Sequence, residues 1–233
     1  LQEVLLVSIS PARVTIVLIL IVTVLMAISI ATDLAPDPPL RLKELFSVGR
    51  ESNVPTWYSS ASMLIVSGLA WLIGAARKQA GGPFVNHWRV LSLVFLFFSL
   101  DDTAMIHELL TNPVRDALNT SGLLYFAWVI PGAIFVVLFV AAFIPFLRHL
   151  PRRTLILFLA GGATFVAGAL GVEAINALLY ERWEQGMMSA AVYNSLTDLE
   201  ELLEMAGIVI FIYALLDYLS QTVKRIDLVF EEE

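Results

Sequence analysis

The sequence predicts an all-α, polytopic integral membrane protein, with six transmembrane helices in one bundle and a carboxylate-rich site near one membrane face. Three observations lead there. Apolar side chains make up 58% of the 233 residues against 15% charged, and the mean hydropathy is +0.81, a balance unlike that of a soluble domain. Apolar runs recur at about the 20-residue length a helix needs to cross hydrocarbon. Eight acids nevertheless gather toward one end of three of those runs.

The first run covers about 11–32 and is nearly pure Val, Ile and Leu. It exceeds the ~7–15 residues of a signal-peptide core, so it is read as a span. The others cover about 56–76, 84–110, 123–147, 154–180 and 193–219. Continuous runs, rather than short alternating ones, exclude a barrel. The whole chain, 1–233, reads as a single transmembrane domain in a cell membrane, plasma or inner, with the lipid bilayer as its first partner.

Between spans one and two, about 33–55, apolar residues at Leu42, Leu45 and Phe46 follow the Pro36, Pro38 and Pro39 cluster. That spacing predicts a short amphipathic helix at the outer interface or a loop packed over the bundle. Trp57, Tyr58, Trp71, Trp88, Tyr125, Trp183, Tyr193 and Tyr218 fall near span ends, where aromatic side chains anchor at the interface. Pro131 and Pro145 in span four predict kinks. In span five, Ala163, Ala167 and Gly171, and again Ala160, Thr164 and Gly168, give small-xxx-small spacing for close helix contact.

Orientation follows from Lys and Arg. Nine of the 14 lie at the ends that would share one side: Arg13, Arg77, Lys78, Arg89, Arg148, Arg152, Arg153, Lys224 and Arg225. By the positive-inside rule both termini are expected in the cytoplasm. The absence of cysteine removes disulfides, thiolate chemistry and Cys-ligated metals. A net charge of −7 argues against nucleic acid as a partner.

The acids carry the chemistry. Span three holds Asp101, Asp102, His107 and Glu108, span five Glu173 and Asn176, and span six Asp198, Glu200, Glu201 and Glu204. No Lys or Arg falls within the acidic stretches 99–108, 173–176 and 198–205. Helix rise places Asp101 about 15 Å from the outer ends, Glu173 about 10 Å and Glu204 about 16 Å, so the three groups share the outer half. An ionisable group at bilayer depth costs at least ~2.5–3.5 kcal/mol and therefore faces a cavity or a partner. Read as one continuous helix, span three would turn His107 roughly 100° away from the Asp101–Glu108 face.

Eight carboxyls cannot share a low-dielectric pocket fully ionised. Protons or a cation must offset them. The expected ligands of a divalent metal ion are Asp101, Glu108, Glu173, Glu201 and Glu204, with His107 and Asn176 as ligands or orienting groups and Asp102, Asp198 and Glu200 completing the polar cluster. Carboxylates with one imidazole and one amide suit Fe, Mn, Zn or Ca. The Glu-x-x-Asn and Glu-x-x-Glu spacings at 173–176 and 201–204 are analogous to helix-borne dimetal carboxylate sites, but no Glu-x-x-His accompanies them. If the chain is a hydrolase, a metal-bound water is the nucleophile.

Two other functions are compatible with the same acids: an accessory or scaffold subunit contacting other membrane subunits, and a proton- or cation-coupled transporter. Neither His87 nor His149 has a catalytic setting. Motifs for Ser hydrolysis, nucleotide binding and His-Glu-x-x-His zinc chemistry are absent.

Overall fold

The computed structural model describes residues 8–35, 39–184, 186–187 and 190–223. Pro36, Pro38, Lys224, Arg225 and the acidic 231–233 tail lie outside them. Among the described residues all regular structure is helical: α1 (Pro11–Leu34), α2 (Leu42–Phe46), α3 (Val54–Gln79), α4 (Val85–Ala104), α5 (Thr111–Leu118), α6 (Val129–His149), α7 (Arg152–Val166), α8 (Glu173–Glu184) and α9 (Ala190–Thr222), with a π-helical segment, Ala167–Val172, joining α7 to α8. Five helical rods are long and apolar enough to cross a membrane, and α4 with the bent 107–118 segment makes a sixth.

Local chemistry sets the starts of these helices. Ser10 accepts from the Arg13 N–H ahead of Pro11, and Asn53 Oδ1 accepts from the Thr56 N–H at 3.1 Å ahead of Pro55. Both are side-chain caps followed by proline in the first turn, where its missing N–H costs nothing. Pro131 has the same placement, two residues into α6, so only Pro145 interrupts that helix. The expected short helix at 42–46 is present as α2.

Helix α9 is the axis of the bundle and touches α1, α3, α7 and α8. At the end away from the acids its Ile208, Ile212 and Leu215 close a core with Ile73, Trp88 and Phe146, each at most 1% exposed. The Trp88 ring meets Phe146 at 4.9 Å and Tyr218 at 5.1 Å. Trp88, Tyr218 and Tyr58 are therefore core residues and not the interfacial anchors their sequence positions indicated; Trp57, Trp71 and Trp183 are exposed as anchors would be. His87 stacks on Phe146 at 5.6 Å.

Two contacts let helices approach closely. Between α3 and α4 a serine ladder runs Ser67 Oγ to Ser92 O at 2.8 Å and Ser99 Oγ to Ser60 O at 2.9 Å, pairing hydroxyls with carbonyls where apolar phase offers none. Between α7 and α9 the crossing depends on Gly161, Gly168 and Gly207. A Cβ on Gly207 would lie 2.7 Å from the Phe165 nitrogen, and one on Gly168 only 2.8 Å from the Glu200 carbonyl. Of the small residues expected to form the contact, Gly168 does so while Gly171 faces open space.

Candidate functional site: an acidic cavity

A break in span three builds one wall. Helix α4 stops at Ala104 because Met105 adopts a left-handed conformation (φ 52°), and the chain turns by 77° into the 107–118 segment. Asp101 secures the turn: its Oδ1 accepts from the His107 backbone N–H at 2.7 Å and its Oδ2 pairs with Nδ1 of the same ring at 2.9 Å. The span is not one helix from 84 to 110. The turn brings His107 into the cavity, whereas a continuous helix would have pointed it away. In a neutral ring, a carboxylate accepting at Nδ1 keeps the single ring proton there and leaves Nε2 as the acceptor.

The π-helical segment builds the opposite wall. Its extra residue per turn shifts the phase of α8, and π-segments of this kind recur at functional sites. Glu173 opens α8 and accepts from the Trp128 indole N–H at 2.9 Å, with the Glu200 carboxyl beside it. The His107 ring lies 4.5 Å from that of Trp128. A chain of contacts therefore runs Asp101–His107–Trp128–Glu173–Glu200.

Asn176 follows one turn later and is 1% exposed. Its amide nitrogen donates to Glu200, and its Oδ1 has no partner. Asp102 Oδ2 is likewise buried and unpartnered. A buried acceptor left unpaired costs ~1–3 kcal/mol, and both of these belong to residues lining the same space.

That space is a cavity of about 490 Å³. It gathers nine of the ten polar residues expected from the sequence: Asp101, Asp102, His107 and Glu108 from the broken span, Glu173 and Asn176 from α8, and Glu200, Glu201 and Glu204 from α9. The tenth, Asp198, is elsewhere. It accepts from Ser29 Oγ at 3.4 Å and lines a smaller hollow with Asp33, Lys43 and Arg50, in which Lys43 Nζ pairs with Asp33 at 3.0 Å.

One acid was missed. Glu51, in the loop before α3, joins the cavity lining. The loop is pinned by the Val48 N–H on Ser29 Oγ at 3.0 Å and by Asn53 Nδ2 on Ser47 O at 2.6 Å, and Val48 plugs between α1 and α9. More than a third of Glu51 as a residue is exposed, yet protein crowds its carboxyl. That desolvation, with the Glu108 and Asp101 charges, pushes its pKa up, against the opposing pull of His107. Asp198 thus leaves the set and Glu51 enters it, so eight carboxyls face one cavity that no Lys or Arg lines.

The acids are not sealed away. Asp101, Asp102, Glu173, Glu200, Glu201 and Glu204 are half-buried and Glu108 is exposed, so they form a lined cavity and not a dry core cluster. Among the described residues no group of three His, Asp or Glu side chains is arranged to hold a metal ion as it stands. Asp101, with both oxygens on His107, orients that ring and is a less available ligand than its depth indicated.

The chain matches the family model described as a domain of unknown function, DUF8692, over residues 14–219. No curated protein and no solved structure matches it.

Proposed function

For a chain that belongs to the DUF8692 family, we propose an integral membrane protein with both termini in the cytoplasm, whose cavity, in the outer half of the bilayer, binds a divalent metal ion. Lipid-facing packing supports insertion: α1 exposes Ile16, Val17, Leu20 and Val24, and α6 exposes Ile134, Val137, Leu138 and Val140, contiguous apolar surfaces beyond what a soluble monomer carries. The bias of Lys and Arg to the opposite end supports the orientation.

The observation that carries the metal reading is chemical imbalance on one surface. Eight carboxyls, one imidazole held at Nδ1 by Asp101 and an orphaned amide oxygen meet with no Lys or Arg among the described lining residues. Only a cation or protons can offset that set. Glu173, Glu200 and Glu204 with Asn176 form the inner group, and His107, oriented by Asp101, is the nitrogen donor. Binding requires the long Glu side chains to draw together by rotamer change, for which the cavity leaves room. Oxygen donors with one imidazole select Mn, Fe, Zn or Ca over soft metals.

Binding is favoured over transport by the opposite half of the bundle. There, Asp217 is held by Arg153 Nε at 3.2 Å and Gln221 Nε2 at 2.7 Å behind the Trp88 core, so the acids at one end have no visible polar continuation to the other among the described residues. Metal analysis of purified protein tests the reading. Stoichiometric metal in wild type, lost in Glu173→Gln and Glu200→Gln, is expected; negligible metal after growth and dialysis with each of Mn, Fe, Zn and Ca would overturn it.

A further inference from the structure

An acidic cluster by itself does not identify a ligand, but this cavity has two further features. The first is its composition away from the acids. Phe98 of α4, Phe135 and Val136 of α6, and Phe165 and Leu170 on the α7 side line the same continuous space. Over this stretch α4 and α6 meet through rings, Phe98 with Phe135 at 6.0 Å, and not by close backbone packing. Phe135 is 42% exposed, and Ile134 and Leu138 beside it on α6 are 56% and 64% exposed. The apolar half of the cavity therefore adjoins the apolar exterior through a side-chain wall that rotamer change can part.

The second is what surrounds the acids. Phe126, Trp128, Tyr180 and Tyr193 line the cavity, and the Tyr180 ring lies 5.3 Å from that of Phe126 and 5.7 Å from that of Tyr193. Carboxylates set among aromatic faces are the recognition chemistry of organic ammonium ions. Asn176 Oδ1, on a side chain 1% exposed, and Asp102 Oδ2 are both acceptors without donors. They call for a head group that carries N–H, which a primary ammonium has and a quaternary one lacks.

We propose that the cavity takes a long-chain primary-ammonium amphiphile, its head among the carboxylates and Asn176 and its chain along Phe98, Phe135, Val136 and Phe165. This rests on the cation preference of the metal reading and not on the metal.

The test uses the full chain in phosphatidylcholine nanodiscs with EDTA, titrated with dodecylammonium, dodecyltrimethylammonium, dodecyl sulfate or ethylammonium and followed by thermal midpoint and tryptophan fluorescence. Saturable dodecylammonium binding is expected, at least tenfold tighter than the trimethyl analogue and 100-fold tighter than ethylammonium. Val136→Phe, which fills the apolar half from a half-buried position, should weaken dodecylammonium at least tenfold and leave metal content unchanged. Equal, non-saturating responses to dodecylammonium and dodecyl sulfate would overturn the proposal, as would full affinity in Val136→Phe. Equal affinity for the trimethyl analogue would overturn the primary-ammonium assignment. Saturable amine binding in protein that never holds metal would leave this inference standing and the metal reading failed; metal without amine binding would be the reverse.

Discussion

The two ends of this bundle solve the same problem in opposite ways. At one end a buried acid, Asp217, is held by Arg153 and Gln221 beside a close-packed core around Trp88 and Phe146. At the other, eight acids line a cavity that no Lys or Arg lines among the described residues. A paired acid is a structural element, because its counter-charge comes with the fold. An unpaired set is unfinished, and its counter-charge must come from outside the chain. On the proposed reading, the first end serves stability and the second binds a ligand.

Mutations can break this division, beginning where the effect is largest. Trp88→Ala should cost about 3–5 kcal/mol through the cavity it leaves, read as a lowered unfolding midpoint, while metal bound per folded molecule stays at the wild-type level. Gly168→Ala should cost about 1–3 kcal/mol, since the added methyl must push α9 away from the π-segment. Unlike Trp88→Ala, it should also reduce metal content, because Glu200 and Glu204 ride on the displaced helix.

Neutralisation should act with opposite sign at the two ends. Glu204→Gln keeps the size of one acid in the crowded set and removes its capacity to ionise, and should raise the thermal midpoint of metal-stripped protein while reducing binding, the usual exchange between stability and function. Asp217→Asn should lower the midpoint and leave binding alone. Equal signs for the two variants would break the comparison.

The pH dependence is smaller. The folded pKa of Glu51 lies above its unfolded value, so the folded state binds more protons and stability falls as pH rises through the window between the two. Metal-stripped protein should therefore gain stability on mild acidification, and Glu51→Gln should flatten part of that slope. Smallest of all, Asp198→Asn should change neither metal content nor its pH profile, since Asp198 faces Ser29, Lys43 and Arg50.

The helices were legible in the sequence because hydropathy and length fix a span independently of its neighbours. So was most of the cavity, since Asp101, Glu173, Glu201 and Glu204 each betray themselves by depth. What was hidden depends on tertiary geometry. The turn at Met105 is set by a non-glycine residue in a left-handed conformation and by Asp101 reaching six residues ahead, neither of which leaves a periodic signal. Glu51 sits in a loop, where an acid attracts no notice until Ser29, Asn53 and Val48 fix the loop's path. The departure of Asp198 did have a signal: acids stepping by threes drift around α9, and the first of them drifts toward α1. Trp88 and Trp57 both sit near span ends, and only packing distinguishes a core ring from an exposed one.

The central claim, that an outside cation completes the acidic end, is tested most directly by metal binding to purified wild type beside a Glu173→Gln/Glu200→Gln double variant, with folding checked by unchanged helical circular dichroism. The account predicts about one or two divalent ions per wild-type chain and less than a tenth of that in the variant. The same low metal content in both, at neutral pH and with each of Mn, Fe, Zn and Ca supplied, would contradict it.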